Sequence, residues 1–218
     1  EPLANLILLQ KMTVSPLEEA ENYINPEKEV STAEDALNGA KDILAESVSD
    51  NADFRTHIRE LTMKHGQLLS AAKDPEAESV YEMYYEFSES LSKLAGHRIL
   101  AISRGEKEKF LTVKIDAPVD RILSYLDRKL ITAPSAPTAA VLHEVTEDAY
   151  NRLIAPAIER EIRNDLFEKA EDGAIRVFGK NLEQLLMQPP IAGQVVLGWD
   201  PAFRTGCKLA VVDPTGKV

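Results

Sequence analysis

The residues able to do chemistry are few and lie far apart. Asp200 follows the apolar run Val195–Trp199 and precedes Pro201. A carboxylate at the end of a sheet's first strand sits where acids converge on metal ions in two-metal phosphoryl chemistry, provided that acids from other strands join it. Here one acid is on offer. Asp200 is thus either the first ligand of a metal-dependent nuclease or a turn residue that accepts backbone hydrogen bonds and pairs with Arg204; its isolation favours the turn. His143-Glu144-x-x-Glu147 carries half of a zinc-protease helix, but Glu147 stands where the second His is required, and a solvated helix face fits better. His57, His65 and His97 show no ligand spacing. Nucleophile contexts such as G-x-S-x-G, phosphate loops and dinucleotide fingerprints are absent. The expectation is a protein that is not an enzyme, with no cofactor and no metal site.

Basic residues give a second set of candidates. His97, Arg98 and Arg104 stand close together, with Lys107 and Lys109 after them, and Arg204 and Lys208 flank the Asp200 turn. Each could meet a phosphate. The α-helical cations could equally cap a helix C-terminus or pair with carboxylates. Tyr81, Tyr84, Tyr85 and Phe87 have the composition of a base-stacking platform. Glu78, Glu82, Glu86 and Glu89 around them would repel phosphate, so an aromatic face packed on its neighbours is favoured.

The elements that must position these residues are mostly helical. The 218 residues are 44% hydrophobic but only 6% aromatic, which suits helix packing. The net charge of −11 argues against a general electrostatic grip on nucleic acid. Residues 195–218 carry three cations against two acids, so +1 falls there and −12 on the remainder. The single cysteine, Cys207, rules out an internal disulfide and fits a reducing, cytoplasmic setting. No apolar run reaches a membrane-spanning length of about 18 residues, and no secretory signal opens the chain. Without an initiating Met, the chain is expected to begin inside a longer protein.

Periodicity predicts short helices over Pro2–Met12 and Leu17–Ile24. The box Ser31-x-x-Glu34 opens a helix with Leu37, Ala40, Leu44 and Val48 on one face. Asp50 caps the next helix, which ends at Lys64-His65 with Gly66 as a left-handed cap. Asp74-Pro75 starts a helix carrying Val80, Tyr84, Phe87 and Leu91, and another helix ends at Gly105. Phe110–Ile115 alternates as a strand, with Gln67–Ala71 as its partner. Ala117–Leu130 is helical. After the Ala133–Pro137 punctuation come three helices, the second started by Pro156 and the third set apart by Gly173, before Gln188-Pro189-Pro190. Val195–Trp199 and Leu209–Val212 then form what reads as the only hairpin, whose unpaired edge invites self-association.

The run VVLGWDPAFRTGCKLAVVDPTGKV resembles the start of the YqgF-type, RNase H-like domain of the Tex family of bacterial transcription accessory proteins. EPLANLILLQ, ALNGAKDILAESVSDNADFR, HRILAISRGEKEKFLTV and YNRLIAPAIEREIRNDLFEKAEDGAIRVFGKNLEQLLMQPPIAG follow the same family in the same order. The resemblance implies a mainly α fold: a multi-helical, helix-turn-helix-containing region over 1–190, incomplete at its N-terminus, then over 191–218 a C-terminal β-hairpin that begins a truncated RNase H-like α/β domain. It implies a scaffold in a protein that binds RNA or DNA, with RNA polymerase or other transcription factors as partners and no membrane. The RNase H-like part is expected to be inactive. Rival functions are a nuclease using Asp200 and a helical docking module. Ala202 departs from the family's usual Gly in D-P-G-x-R-T-G, a position where Gly could take φ > 0.

Overall fold

The computed structural model describes residues 1–189, 191, 193–202, 204 and 206–218. They fall into two units, Glu1–Asp172 and Gly173–Val218. No helix among them is long and apolar enough to cross a membrane.

In the first unit, α1 (Pro2–Leu9), α2 (Pro16–Ala20) and α3 (Ala33–Ser49) pack through Leu3, Ile7, Ala20, Leu37, Ala40, Leu44 and Val48, all buried. The capping box lies one residue later than the sequence suggests. Thr32 Oγ1 accepts the Asp35 N–H, and Asp35 Oδ2 accepts the N–H groups of Thr32 and Ser31. Asn51, not Asp50, caps α4 (Ala52–His65), its Oδ1 accepting the Phe54 N–H at 3.1 Å. Gly66 is extended, with φ −77° and ψ 163°, because it leads directly into a strand rather than closing a left-handed cap.

That strand, β1 (Gln67–Ala72), is the centre of a three-stranded antiparallel sheet between β2 (Glu86–Ser90) and β3 (Leu111–Asp116). The expected pairing of 67–71 with 110–115 is present, with Leu68 opposite Ile115 and Ser70 opposite Val113. The helix expected after Pro75 is absent. Glu82–Tyr84 forms a 3₁₀ turn and Glu86–Ser90 pairs with β1, so the C-terminal ribbon is not the only β structure. Tyr81 and Tyr84 are buried, which keeps their packing role but removes them as a stacking platform. α5 (Gly96–Lys107) runs past Gly105. Gly105 is buried against Leu111 and Tyr81, and the left-handed residue comes later, at Lys109.

α6 (Val119–Leu130) buries Ile122 and Leu126 completely. α7 (Ala139–Asp148) passes without a break through a π segment, Ala149–Ile154, into α8 (Ala155–Leu186). The sequence predicts three separate helices here. Pro156 lacks an N–H and would press on the carbonyl four residues back. The π segment removes that conflict by widening the turn: the Ala155 N–H bonds to Tyr150 O, five residues back. Gly173 costs about 1 kcal/mol in a helix interior, too little to stop a helix of this length. The buried stripe of α8, Ile158, Ile162, Leu166 and Ala170, stops just before the first unit ends.

In the second unit, β4 (Val196–Asp200) and β5 (Lys208–Val212) pair antiparallel. The fold is therefore mainly α, with a small C-terminal two-stranded sheet.

Candidate functional site

The α5 cations do not form one patch. The helix begins where Gly96 lies against α8; a Cβ there would sit 3.4 Å from Ala170. His97 and Arg98 thus occupy the first turn, not the last. Arg98 Nη1 is 2.6 Å from Glu89 Oε2 of β2, and its guanidinium lies 6.0 Å from the Phe87 ring centroid. Phe87 and Glu89 are two apart on one strand and so share a face. Arg104, six residues on, points about 120° away from Arg98, whereas His97 and Arg104 share a face about 10 Å apart. Both are exposed. Burial pushes the Tyr81 phenol up, Glu108 adds to the rise, and Arg104 opposes it.

Between α5, the sheet and α8 runs a groove of about 470 Å³ whose floor includes Leu68, Ile99, Ile102, Val113 and Leu166. Two groups on its polar rim are already committed. Arg163 contacts Glu106 and donates to Val113 O, while Glu159 Oε1 accepts the Ile115 N–H at 3.2 Å. Two side chains one helical turn apart thereby cover the outer edge of β3, which would otherwise recruit another strand. Burial raises the Tyr150 phenol, and the charges of Glu159 and Asp116 raise it further. Neither Glu159 nor Arg163 stands out among the candidate residues of the sequence. Their signal is an acid and a base at i and i+4 on a helix facing a strand.

His143 is held by Asp127, with Nδ1 to Oδ2 at 2.8 Å, and Asp127 also accepts from Thr146 Oγ1 at 2.6 Å. Glu144 meets Lys41 of α3 at 2.5 Å. The His143–Glu147 helix face is thus part of a network joining α3, α6 and α7. No group of three or more His, Cys, Asp or Glu able to hold a metal occurs among the described residues.

In the second unit Asp200 ends β4 directly opposite Lys208, a cross-strand pairing of opposite charge. The Ala202 N–H bonds to Asp200 O at 3.0 Å, and among the described residues Asp200 forms no ion pair with Arg204. Ala202 is not among the residues with positive φ, so its methyl group meets no left-handed strain. The register puts Leu197 opposite Val211 and Trp199 opposite Leu209, all four on one exposed face. At the hairpin's open end, Asp213 accepts from the N–H of Lys217 and from the hydroxyl and N–H of Thr215, and these bonds hold its carboxyl below the usual range. The register thus sets Asp200 opposite Lys208, and among the described residues Asp200 belongs to no group of three or more His, Cys, Asp or Glu able to hold a metal.

Residues 11–178 match the family described as Tex central region-like, and residues 194–218 match the Tex protein YqgF-like domain. The whole chain is 52% identical to the uncharacterized protein YdcI of Bacillus subtilis, covering 31% of that protein, and 38% identical to protein tex of Bordetella pertussis, covering 29%. Over 90% of its length it is 33% identical to human S1 RNA-binding domain-containing protein 1, covering 21% of it. The chain spans about a third or less of the length of these curated relatives.

Proposed function

The chain belongs to the Tex family, and from that premise we propose that it is a non-catalytic architectural part of a cytoplasmic, nucleic-acid-binding transcription accessory protein. Membership in a family of transcriptional accessory proteins, and the RNA-binding domain in the human relative's name, support a role in transcription or RNA metabolism. The observation that carries the architectural reading is the lacing of α8 and its π segment. Arg55–Glu161 and Arg59–Asp165 tie α8 to α4, Arg163–Glu106 ties it to α5, and Arg152–Asp42 ties the π segment to α3. Charges placed in this way hold elements together and leave none of these side chains for a reaction. RNA polymerase and other transcription factors are the protein partners this reading implies, and the exposed β4–β5 edge would pair with a second copy.

One experiment separates this from the nuclease reading. The full-length protein is incubated with labelled RNA and duplex DNA in Mg²⁺ or Mn²⁺, and retention and cleavage are scored together. Retention without cutting is expected. Metal-dependent cutting that Asp200→Asn abolishes would establish the nuclease instead, and failure to retain either nucleic acid would overturn the proposal.

A further inference from the structure

We infer that the α4–α6 face of the first unit is a contact site for single-stranded nucleic acid, an inference that rests on the nucleic-acid reading of the whole protein. The face holds a depression of about 540 Å³ lined by His57, Arg121, Ser124, Tyr125 and Arg128, among others. The His57 and Tyr125 rings are stacked, with centroids 4.0 Å apart and planes at 28°. Phe54 braces Tyr125 edge-on at 6.0 Å, so the ring pair is fixed before any ligand arrives. Lys129 Nζ lies 6.0 Å from the Tyr125 centroid.

The cations here differ from the arginines that lace the unit. Arg55, Arg59, Arg98, Arg152 and Arg163 are each spent on a carboxylate. Arg121, Arg128 and Lys129 are exposed and enter no ion pair among the described residues, although the chain carries eleven more acids than bases. Arg128 Nε donates to Ser124 O at 3.1 Å, which lays the guanidinium along the helix. Arg121 and Arg128 are seven residues apart, hence on one face and about 10 Å apart along the axis. Asp120 is the one acid lining the depression and sits in the first turn of α6, where the helix dipole accommodates it. Spaced cations beside a pre-stacked ring pair are what a single strand needs: phosphates for the cations and an unstacked base for the ring face. A duplex keeps its bases stacked and offers the rings nothing.

The test is fluorescence anisotropy of the 218-residue chain with labelled 20-nucleotide oligouridylate and with a duplex of equal length, from 50 to 200 mM salt. The single strand is expected to bind more tightly than the duplex. Arg121→Glu with Arg128→Glu should weaken it at least tenfold and flatten the salt dependence by about 1.4 in log–log slope, the share of two phosphate contacts. His57→Ala should weaken it severalfold with the slope unchanged. Lys28→Glu with Lys73→Glu, two exposed cations outside the depression, should leave it unchanged. Circular dichroism melts check folding, and the Arg121→Ala, Arg128→Ala pair repeats the measurement without charge reversal. No binding by the chain, a preference for duplex, or equal loss in the Lys28/Lys73 control would overturn the inference. Retention by the full-length protein in those cases would leave the broader reading standing.

Discussion

Gln10 donates from Nε2 to Leu130 O at 2.7 Å, while its Oε1 accepts the N–H groups of Thr132 and Ala133, each at 2.9 Å. One buried amide thus closes the C-terminus of α6 from 120 residues away. To do so Gln10 ends α1 in the left-handed region, φ 54°, which a non-glycine side chain seldom occupies. Gln10→Ala would leave a carbonyl and two N–H groups without partners, a loss of roughly 2–4 kcal/mol. Gln10→Glu discriminates further. At neutral pH it lacks the donor and sets a negative charge at the negative end of the α6 dipole, so it should cost at least as much. Burial and the dipole raise this carboxyl's folded pKa, so as pH falls through it the protonated group regains a donor and part of the loss. Urea unfolding at pH 7 and pH 3.5 reads both variants; equal stability of wild type and Gln10→Ala would remove this cap from the account.

A second stability effect depends on pH. Arg152 bonds Asp148 through Nε at 3.0 Å and Nη2 at 2.6 Å, and these bonds hold the Asp148 carboxyl below its ordinary value. A depressed carboxylate stabilises the fold above its unfolded pKa, and that contribution disappears as pH falls through the lower folded value. The pair is half exposed, so its worth is that of a surface ion pair, about 0.5 kcal/mol. Asp148→Asn should lower stability by that amount at pH 7 and converge with wild type near pH 2. In 1 M salt the difference should shrink. A constant offset across the acid range would show that Asp148 acts through packing instead.

Much of the helical body is legible because its apolar spacing is regular. Leu37, Ala40, Leu44 and Val48 recur at the helical period, and Ile122 and Leu126 do the same in α6. The strand partners 67–71 and 110–115 are legible because Leu111, Val113 and Ile115 alternate. β2 is not, because Val80, Tyr84, Phe87 and Leu91 mimic a helical period while Glu86–Ser90 contains no β-branched residue. Its strand state comes from pairing with β1, which no local propensity announces. Pro156 and Gly173 mislead for a related reason: a π turn accommodates one, and helix length outweighs the other. Among site residues, the position of Asp200 at a strand end is readable. The stacking of His57 on Tyr125 is not, since it joins helices 68 residues apart.

The two halves of α8 should respond differently to the same truncation. Ile162 is fully buried, whereas Ile175 is 68% exposed. Ile162→Ala removes packed methyl groups and leaves a cavity, a loss of roughly 2–5 kcal/mol. Ile175→Ala should stay within about 0.5 kcal/mol. Thermal melts of the two variants compare them directly, and a large loss from Ile175→Ala would mean that the Ile175 side chain is covered in solution.

Gly105 and Gly173 lie in helices, yet adding one methyl group should have opposite effects. At Gly105 a Cβ would fall 2.7 Å from Leu111 Cδ1 and 3.1 Å from Tyr81 Cδ1. Leu111 opens β3 and is fully buried, so neither it nor the α5 backbone can yield without opening the core. Overpacking of this kind costs about 1–3 kcal/mol. At Gly173 nothing lies within 4 Å, and the helix continues on both sides. There alanine removes unfolded-state freedom and restores helix propensity, a gain of about 0.4–1 kcal/mol. Urea unfolding followed by far-ultraviolet circular dichroism reads both signs. If Gly173→Ala destabilised the protein, the glycine would be serving a close approach at that point, and α8 would not run uninterrupted through it.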